Sequence, residues 1–132
     1  MKTILCFILI LICLPAFAPA GRAEMIILKA EAIMPYERLW EAVCSVESGG
    51  NASAYNPKEK AVGIAQIRMI RLKDYNKQTG KSLTLHDCYD KEVSKTIFIH
   101  YCQGRDYETI AKSWNGSGEM TIAYWNKVKS CL

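Results

Sequence analysis

Glu47 stands apart from the other acidic residues because of its neighbours. Leu39, Val43 and Glu47 are spaced four apart, and Cys44 precedes Glu47 by three. On a helix these positions share one face. Ser48-Gly49-Gly50-Asn51 follows and ends that helix, since glycine accepts left-handed geometry after a C-cap. The carboxyl is therefore expected on the core side of a helix end. Partial burial disfavours its charged form, and the negative end of the helix dipole acts in the same direction. Both effects favour a carboxyl that keeps a proton near neutral pH, the state a general acid needs. The plainer alternative is a solvated Glu in a last helical turn.

The other reactive residue types form weaker patterns. His86 and His100 lie 14 apart with no nucleophile beside either, so loop and helix-surface roles are expected. No CxxC or HxxxH pair occurs, which argues against a zinc site. Arg68, Arg71 and Lys73 read as the solvated face of a basic helix. Asp74, Asp87 and Asp90 fall in no catalytic pattern. No metal ligand set and no cofactor is expected.

The elements that position Glu47 follow from periodicity. Pro35 suits a first helical turn, and Tyr36, Leu39/Trp40, Val43/Cys44 and Val46/Glu47 recur at helical spacing. Residues 51–62 read as loop, with Asn56-Pro57 as a turn. Gly63-Ile64-Ala65-Gln66-Ile67 is short and apolar. A basic helix then runs to about Lys77 and stops near Gly80. Thr84-Leu85-His86-Asp87 resembles a capping box with Asp for Glu, and one helix is expected from Asp87 to Gln103, with Val93, Ile97 and Tyr101 as its stripe. Asp106 could cap a short helix to Trp114. After the turn Asn115-Gly116-Ser117-Gly118, residues 120–131 make a last helix with Ile122, Trp125 and Val128 on one face. The fold class is mainly α, with a small irregular β element near 55–67.

Composition sets the frame. The chain has 132 residues, half of them hydrophobic and 23% charged, enough for one core and unlike a disordered chain. Lys2, the uncharged apolar run from Ile4 to Leu14, and the small residues up to Ala23 read as a signal peptide over 1–23. The run is shorter than the roughly 20 residues a membrane span needs. Cleavage falls after Ala20 or Ala23 and leaves a domain over 24–132, opened by an apolar lead-in at 24–34. The product is expected to be exported, to the periplasm or the extracellular space, with no stable membrane insertion. Cleavage after Ala23 leaves 15 basic residues against 13 acidic ones, a net charge of +2. That is too little to suggest a nucleic-acid partner.

Cleavage also removes Cys6 and Cys13 and leaves Cys44, Cys88, Cys102 and Cys131. Four cysteines in a small exported domain suggest two disulfides. On one helix Cys88 and Cys102 would lie about 21 Å apart, beyond the reach of a bridge. Two sets remain: 44–88 with 102–131, or 44–102 with 88–131.

The order of motifs adds to this reading. Glu47-Ser48-Gly49-Gly50-Asn51 is followed by Ala54-Tyr55-Asn56 and then Gly63-Ile64-Ala65-Gln66-Ile67. Ser113-Trp114-Asn115-Gly116 comes next, then Thr121, Tyr124-Trp125 and Lys127-Val128. This succession, over about residues 36–129, resembles the lytic transglycosylase domain of the soluble (SLT) type, a relative of goose-type lysozyme. The resemblance implies a helical, lysozyme-like fold with a groove for peptidoglycan strands, and a monomer without cofactor. It places Glu47 on the family's single catalytic acid, which protonates the bond between N-acetylmuramic acid and N-acetylglucosamine. The same carboxyl then acts as base toward the 6-hydroxyl of the muramic acid, and a 1,6-anhydro sugar results. Gln66 matches the family's groove glutamine. Trp114 and Asn115 fall where Tyr-Asn is common and would suit a sugar face and its acetamido group, while core packing is the alternative for Trp114. Ser48 and Tyr124 complete the candidate substrate-binding set.

The sequence departs from the family at Ala65, where Met is usual, at Trp114 for Tyr, and at Gly116-Ser117-Gly118. These bear on the fit of the sugar subsites more than on Glu47. Two other readings stand beside the transglycosylase. One is a hydrolytic lysozyme on the same fold. The other is an inactive glycan-binding accessory subunit of a secretion or conjugation apparatus, which would have little need of a partly buried acid.

Overall fold

The computed structural model describes residues 36–132. The expected signal segment, the lead-in 24–34, Pro35, Cys6 and Cys13 lie outside the described residues. The first helix, α1, covers 36–48. A two-stranded antiparallel sheet follows: β1 (Tyr55–Asn56) pairs with β2 (Ala61–Val62), with Tyr55 opposite Val62 and Asn56 opposite Ala61. Then come α2 (Met69–Thr79), a short 3-10 turn (His86–Tyr89), α3 (Lys91–Cys102), α4 (Tyr107–Asn115) and α5 (Met120–Lys129). The fold is mainly helical with one small β element.

Local chemistry sets the boundaries. Gly80 is left-handed and its N–H closes α2 on the Asn76 carbonyl. Asp106 caps α4 by accepting from the Thr109 N–H at 2.9 Å. The expected helix from 87 to 103 is corrected to a 3-10 turn and a separate helix. Asp90 is extended between them, and its side chain accepts from the N–H groups of Glu92 (2.7 Å) and Val93 (3.1 Å). A carboxylate that satisfies free helix-start donors begins a helix instead of continuing one.

The core is built around aromatic rings from α1, α3 and α4. Trp40 meets Phe98 with centroids 5.3 Å apart, and Phe98 meets Trp114 edge-on at 5.0 Å. Lys95 of α3 pairs with Glu37 of α1 at 2.6 Å. On α5 the buried face is Thr121, Tyr124 and Val128, whereas Ile122 is exposed. The expected face through Ile122 is therefore corrected. Two polar-tipped residues take the inner positions because each has a partner there: Thr121 donates to the Gly118 carbonyl at 2.7 Å, and Tyr124 to Glu47.

The disulfide expectation is corrected too, for Cys44, Cys88, Cys102 and Cys131 are all free thiols. Both expected sets join Cys131 to Cys88 or Cys102. Those two are fully buried, and Cys131 is exposed beyond α5. Cys88 and Cys102 donate to carbonyls one turn back, Thr84 at 3.7 Å and Phe98 at 3.3 Å. Burial pushes the thiols of Cys44 and Cys102 up to about 12 and that of Cys88 to about 11. Thiol reactivity needs exposure and thiolate. In native protein beginning at residue 24, one thiol is expected to react rapidly with a disulfide reagent, and peptide mapping should place it at Cys131. The other three should react only on unfolding. Fewer than four titratable thiols in the unfolded, unreduced chain would mean that a bridge forms.

Candidate active site

Glu47 sits in the last turn of α1, where the apolar stripe Leu39–Val43 meets the glycine pair. Gly49 and Gly50 have φ of 63° and 80°, and their N–H groups close on the carbonyls of Ser45 (3.0 Å) and Cys44 (3.1 Å). No atom lies within 4 Å of where a Cβ would stand at either position. Glycine is therefore required there for its backbone freedom and not for space. The chain turns away just after the carboxyl and leaves Glu47 partly buried.

The loop 63–67 lies beside that helix end. The carbonyls of Gly63, Ile64 and Ala65 are each met by a side chain. Ser48 donates to the Ile64 carbonyl at 2.7 Å. The Trp114 indole N–H donates to the Ala65 carbonyl at 3.1 Å. The Gln66 amide donates to the Gly63 carbonyl at 2.9 Å, while Gln66 itself holds a left-handed φ of 50°. Ile67 and Val62 exchange backbone hydrogen bonds at 2.8 and 3.0 Å, which extends the small sheet. A Cβ on Gly63 would lie 2.1 Å from the Cys88 carbonyl oxygen, so here glycine is required for space as well as for its φ of 78°.

These contacts revise the substrate-binding expectations. Trp114 is core: it is 4% exposed, packed on Phe98, and its only polar atom is occupied by the loop. Large aromatics bury area first, and their N–H then needs a partner. Ser48 is committed to the loop backbone, as is the amide nitrogen of Gln66, whose oxygen has no partner among the described residues. Asn115 is half-buried, and its backbone carbonyl accepts from Arg68 at 3.0 Å. Tyr124 is buried, and its hydroxyl donates to Glu47 Oε1 at 2.7 Å. It orients the carboxyl and offers no open sugar-binding face.

Arg68 and Arg71 were not expected at the site. They do not form a solvated face. Arg71 donates to the carbonyls of Ser113 and Trp114, both at 3.0 Å, and lies over the Trp114 ring at 4.1 Å and the Tyr101 ring at 5.1 Å. Two arginines one turn apart at a helix start, upstream of a Trp-Asn helix end, were the available signal. The missing information was which carbonyls they would meet.

The electrostatics around Glu47 are opposed. Burial raises its proton affinity above the ordinary carboxylate value. The Tyr124 hydroxyl and the charge of Arg68 work against that rise without cancelling it. Burial likewise raises the Tyr124 hydroxyl, helped by the neighbouring carboxylate, so the phenol stays a donor. Glu59 also reaches Glu47 by charge, but it is exposed and pairs with Arg68 at 3.8 Å. A hydrogen-bonded, proton-retaining carboxyl that is only partly buried can give a proton and take one back. No protein family, curated protein or solved structure matches the chain.

Two outcomes follow. The folded chain binds the Glu47 proton more tightly than the unfolded chain. Its contribution to stability is thus full below the ordinary Glu value and is lost as pH rises through the raised one. Glu47→Gln removes that dependence, so thermal melts should show the variant gaining on wild type from acid to neutral pH. A difference between the two that does not change with pH would contradict the raised affinity. Trp114→Ala should cost about 3–5 kcal/mol in urea unfolding. A cost below about 1 kcal/mol would return the ring to the surface.

Proposed function

We propose that this chain is an exported muramidase, a lytic transglycosylase of the soluble lysozyme-like type that cuts the β-1,4 bond between N-acetylmuramic acid and N-acetylglucosamine in peptidoglycan. The observation that carries this reading is the Glu47–Tyr124 pair: a single proton-retaining carboxyl whose Oε1 is held by a phenol. With Oε1 accepting from Tyr124, the proton rides on Oε2. It passes to the glycosidic oxygen as the bond from the anomeric carbon breaks. The carboxylate then takes the proton of the muramic acid 6-hydroxyl while that oxygen bonds to the anomeric carbon. The proton returns to Glu47, the anhydro ring closes, and no water is consumed.

One carboxyl suffices for this cycle, whereas a hydrolase working through two carboxylates needs a second at defined separation. The exposed, arginine-paired Glu59 is poorly suited to that task, which favours the transglycosylase over the hydrolytic lysozyme. The motif order from Glu47 to Val128 supports the substrate class, and the conversion of Trp114 from sugar platform to core does not touch the chemistry. The acid must be protonated to start the cycle, so cleavage should fall as pH rises through the raised Glu47 value.

The test is a digest of purified peptidoglycan followed by mass spectrometry. Wild type should release muropeptides one water lighter than hydrolysed ends. Glu47→Gln should lose about 10²–10⁴-fold in rate while melting normally at neutral pH. Hydrated ends would assign the hydrolytic reading, and undiminished cleavage by Glu47→Gln would remove the residue from catalysis.

A further inference from the structure

Ser94 is fully buried and has no part in the cycle proposed for Glu47. It stands near the start of α3, on the face that carries Ile97 and Phe98. A hydroxyl in such a place is unfavourable unless it finds a partner. Its partner is the Cys88 carbonyl, at 2.7 Å. Cys88 belongs to the 3-10 turn before α3, and its carbonyl has no other donor among the described residues.

That carbonyl is available because the helix breaks at Asp90. In a helix continuing back through Cys88, the Glu92 N–H would close on the Cys88 carbonyl, four residues earlier. Instead the Asp90 carboxylate takes the Glu92 N–H at 2.7 Å. The freed carbonyl faces the loop 63–67. Its oxygen lies 2.1 Å from where a Gly63 Cβ would stand, with Ser94 Oγ 3.5 Å from the same point. The Gly63 hydrogen in that position therefore points at the oxygen, a weak C–H···O contact. Asp90 withdraws the helical donor, and Ser94 supplies another that leaves room for the loop.

Gly63 opens the loop whose next carbonyl, that of Ile64, accepts from Ser48, the residue after Glu47. We propose that Ser94, together with the helix break at Asp90, is a positioning element for Glu47. The hydroxyl fixes the Cys88 carbonyl, the carbonyl sets how closely Gly63 packs, and Gly63 places the loop that ties down the end of α1. Ser94 acts only through these residues and meets no substrate. For its catalytic consequence the proposal rests on the muramidase reading. Without the hydroxyl, a buried carbonyl lacks a donor and must move, toward water or back to the helical N–H of Glu92. Either movement withdraws the surface on which Gly63 packs.

The test follows the Glu47 carboxyl by carbon NMR across pH, with the amides of 63–67, in wild type, Ser94→Ala, Asp90→Ala and Asp90→Asn. Asp90 is exposed, so its variants give the decision should Ser94→Ala not fold. Ser94→Ala and Asp90→Ala should both shift the loop amides. Both should also lower the Glu47 titration midpoint toward the ordinary value, because burial is what raises it. The groups that act on Glu47 by charge or hydrogen bond, Tyr124, Arg68, Arg71 and Glu59, are unaltered in every variant. Asp90→Asn still caps the helix and should match wild type in both readouts. Cleavage by the two alanine variants should fall about tenfold or more in kcat with KM little changed, the mark of a misplaced catalytic group. Variants that melt lower while the loop amides and the Glu47 midpoint stay as in wild type would show a merely structural role and overturn the proposal. If wild type cleaves peptidoglycan and the midpoint is unmoved, the function stands and the positioning element falls. If wild type does not cleave and the midpoint moves, the muramidase reading falls and the coupling of Ser94 to Glu47 stands.

Discussion

The geometry around Glu47 depends on a backbone problem in the loop 63–67. A tight turn packed against the core brings peptide carbonyls where water cannot solvate them, and each must find a donor. Ile64 finds Ser48, at the end of α1. Ala65 finds the Trp114 indole, near the end of α4. Neither donor is free to leave, because an unmade buried hydrogen bond costs about 1–3 kcal/mol. The loop thereby fixes where two helices end relative to each other. Glu47 stands one residue before the first of these ties and inherits its precision. Tyr124, from α5, then fixes the carboxyl itself.

The same economy governs the arginines. Arg71 satisfies carbonyls at the end of α4 and lies over the ring that satisfies Ala65. Guanidinium groups at the C-terminal end of a helix also favour its dipole. Placed there for structural reasons, Arg68 and Arg71 still act on Glu47 by charge and moderate the rise that burial causes. The proton affinity of the carboxyl, raised by burial, is therefore moderated in part by residues whose first task is to hold α2 against α4. A change at either arginine alters the site and the fold together. Glu47 and Tyr124 can be altered with a smaller effect on the frame.

Helix existence was legible in the sequence, because apolar spacing and caps are local. The start of α4 at Asp106 and the end of α2 at Gly80 both came from single residues with one strong preference. The break at Asp90 was not read, since apolar spacing runs through it and only the competing cap decides. The inner face of α5 was misread for a related reason. A hydrophobicity pattern favours Ile122 over Thr121 and Tyr124, whose hydroxyls require partners that only the tertiary structure supplies. The cysteines were read from compartment and number, and neither says which thiols are buried.

Glu47 was legible and its assistants were not, and this asymmetry has a physical origin. A carboxyl on an apolar helix stripe conflicts with its surroundings, and the conflict is visible within one turn of sequence. Ser48, Gln66 and Trp114 conflict with nothing locally; their amide, hydroxyl and indole groups suit sugar and backbone equally well. Only the position of the 63–67 carbonyls separates the two uses, and three of the expected sugar contacts were spent on that loop.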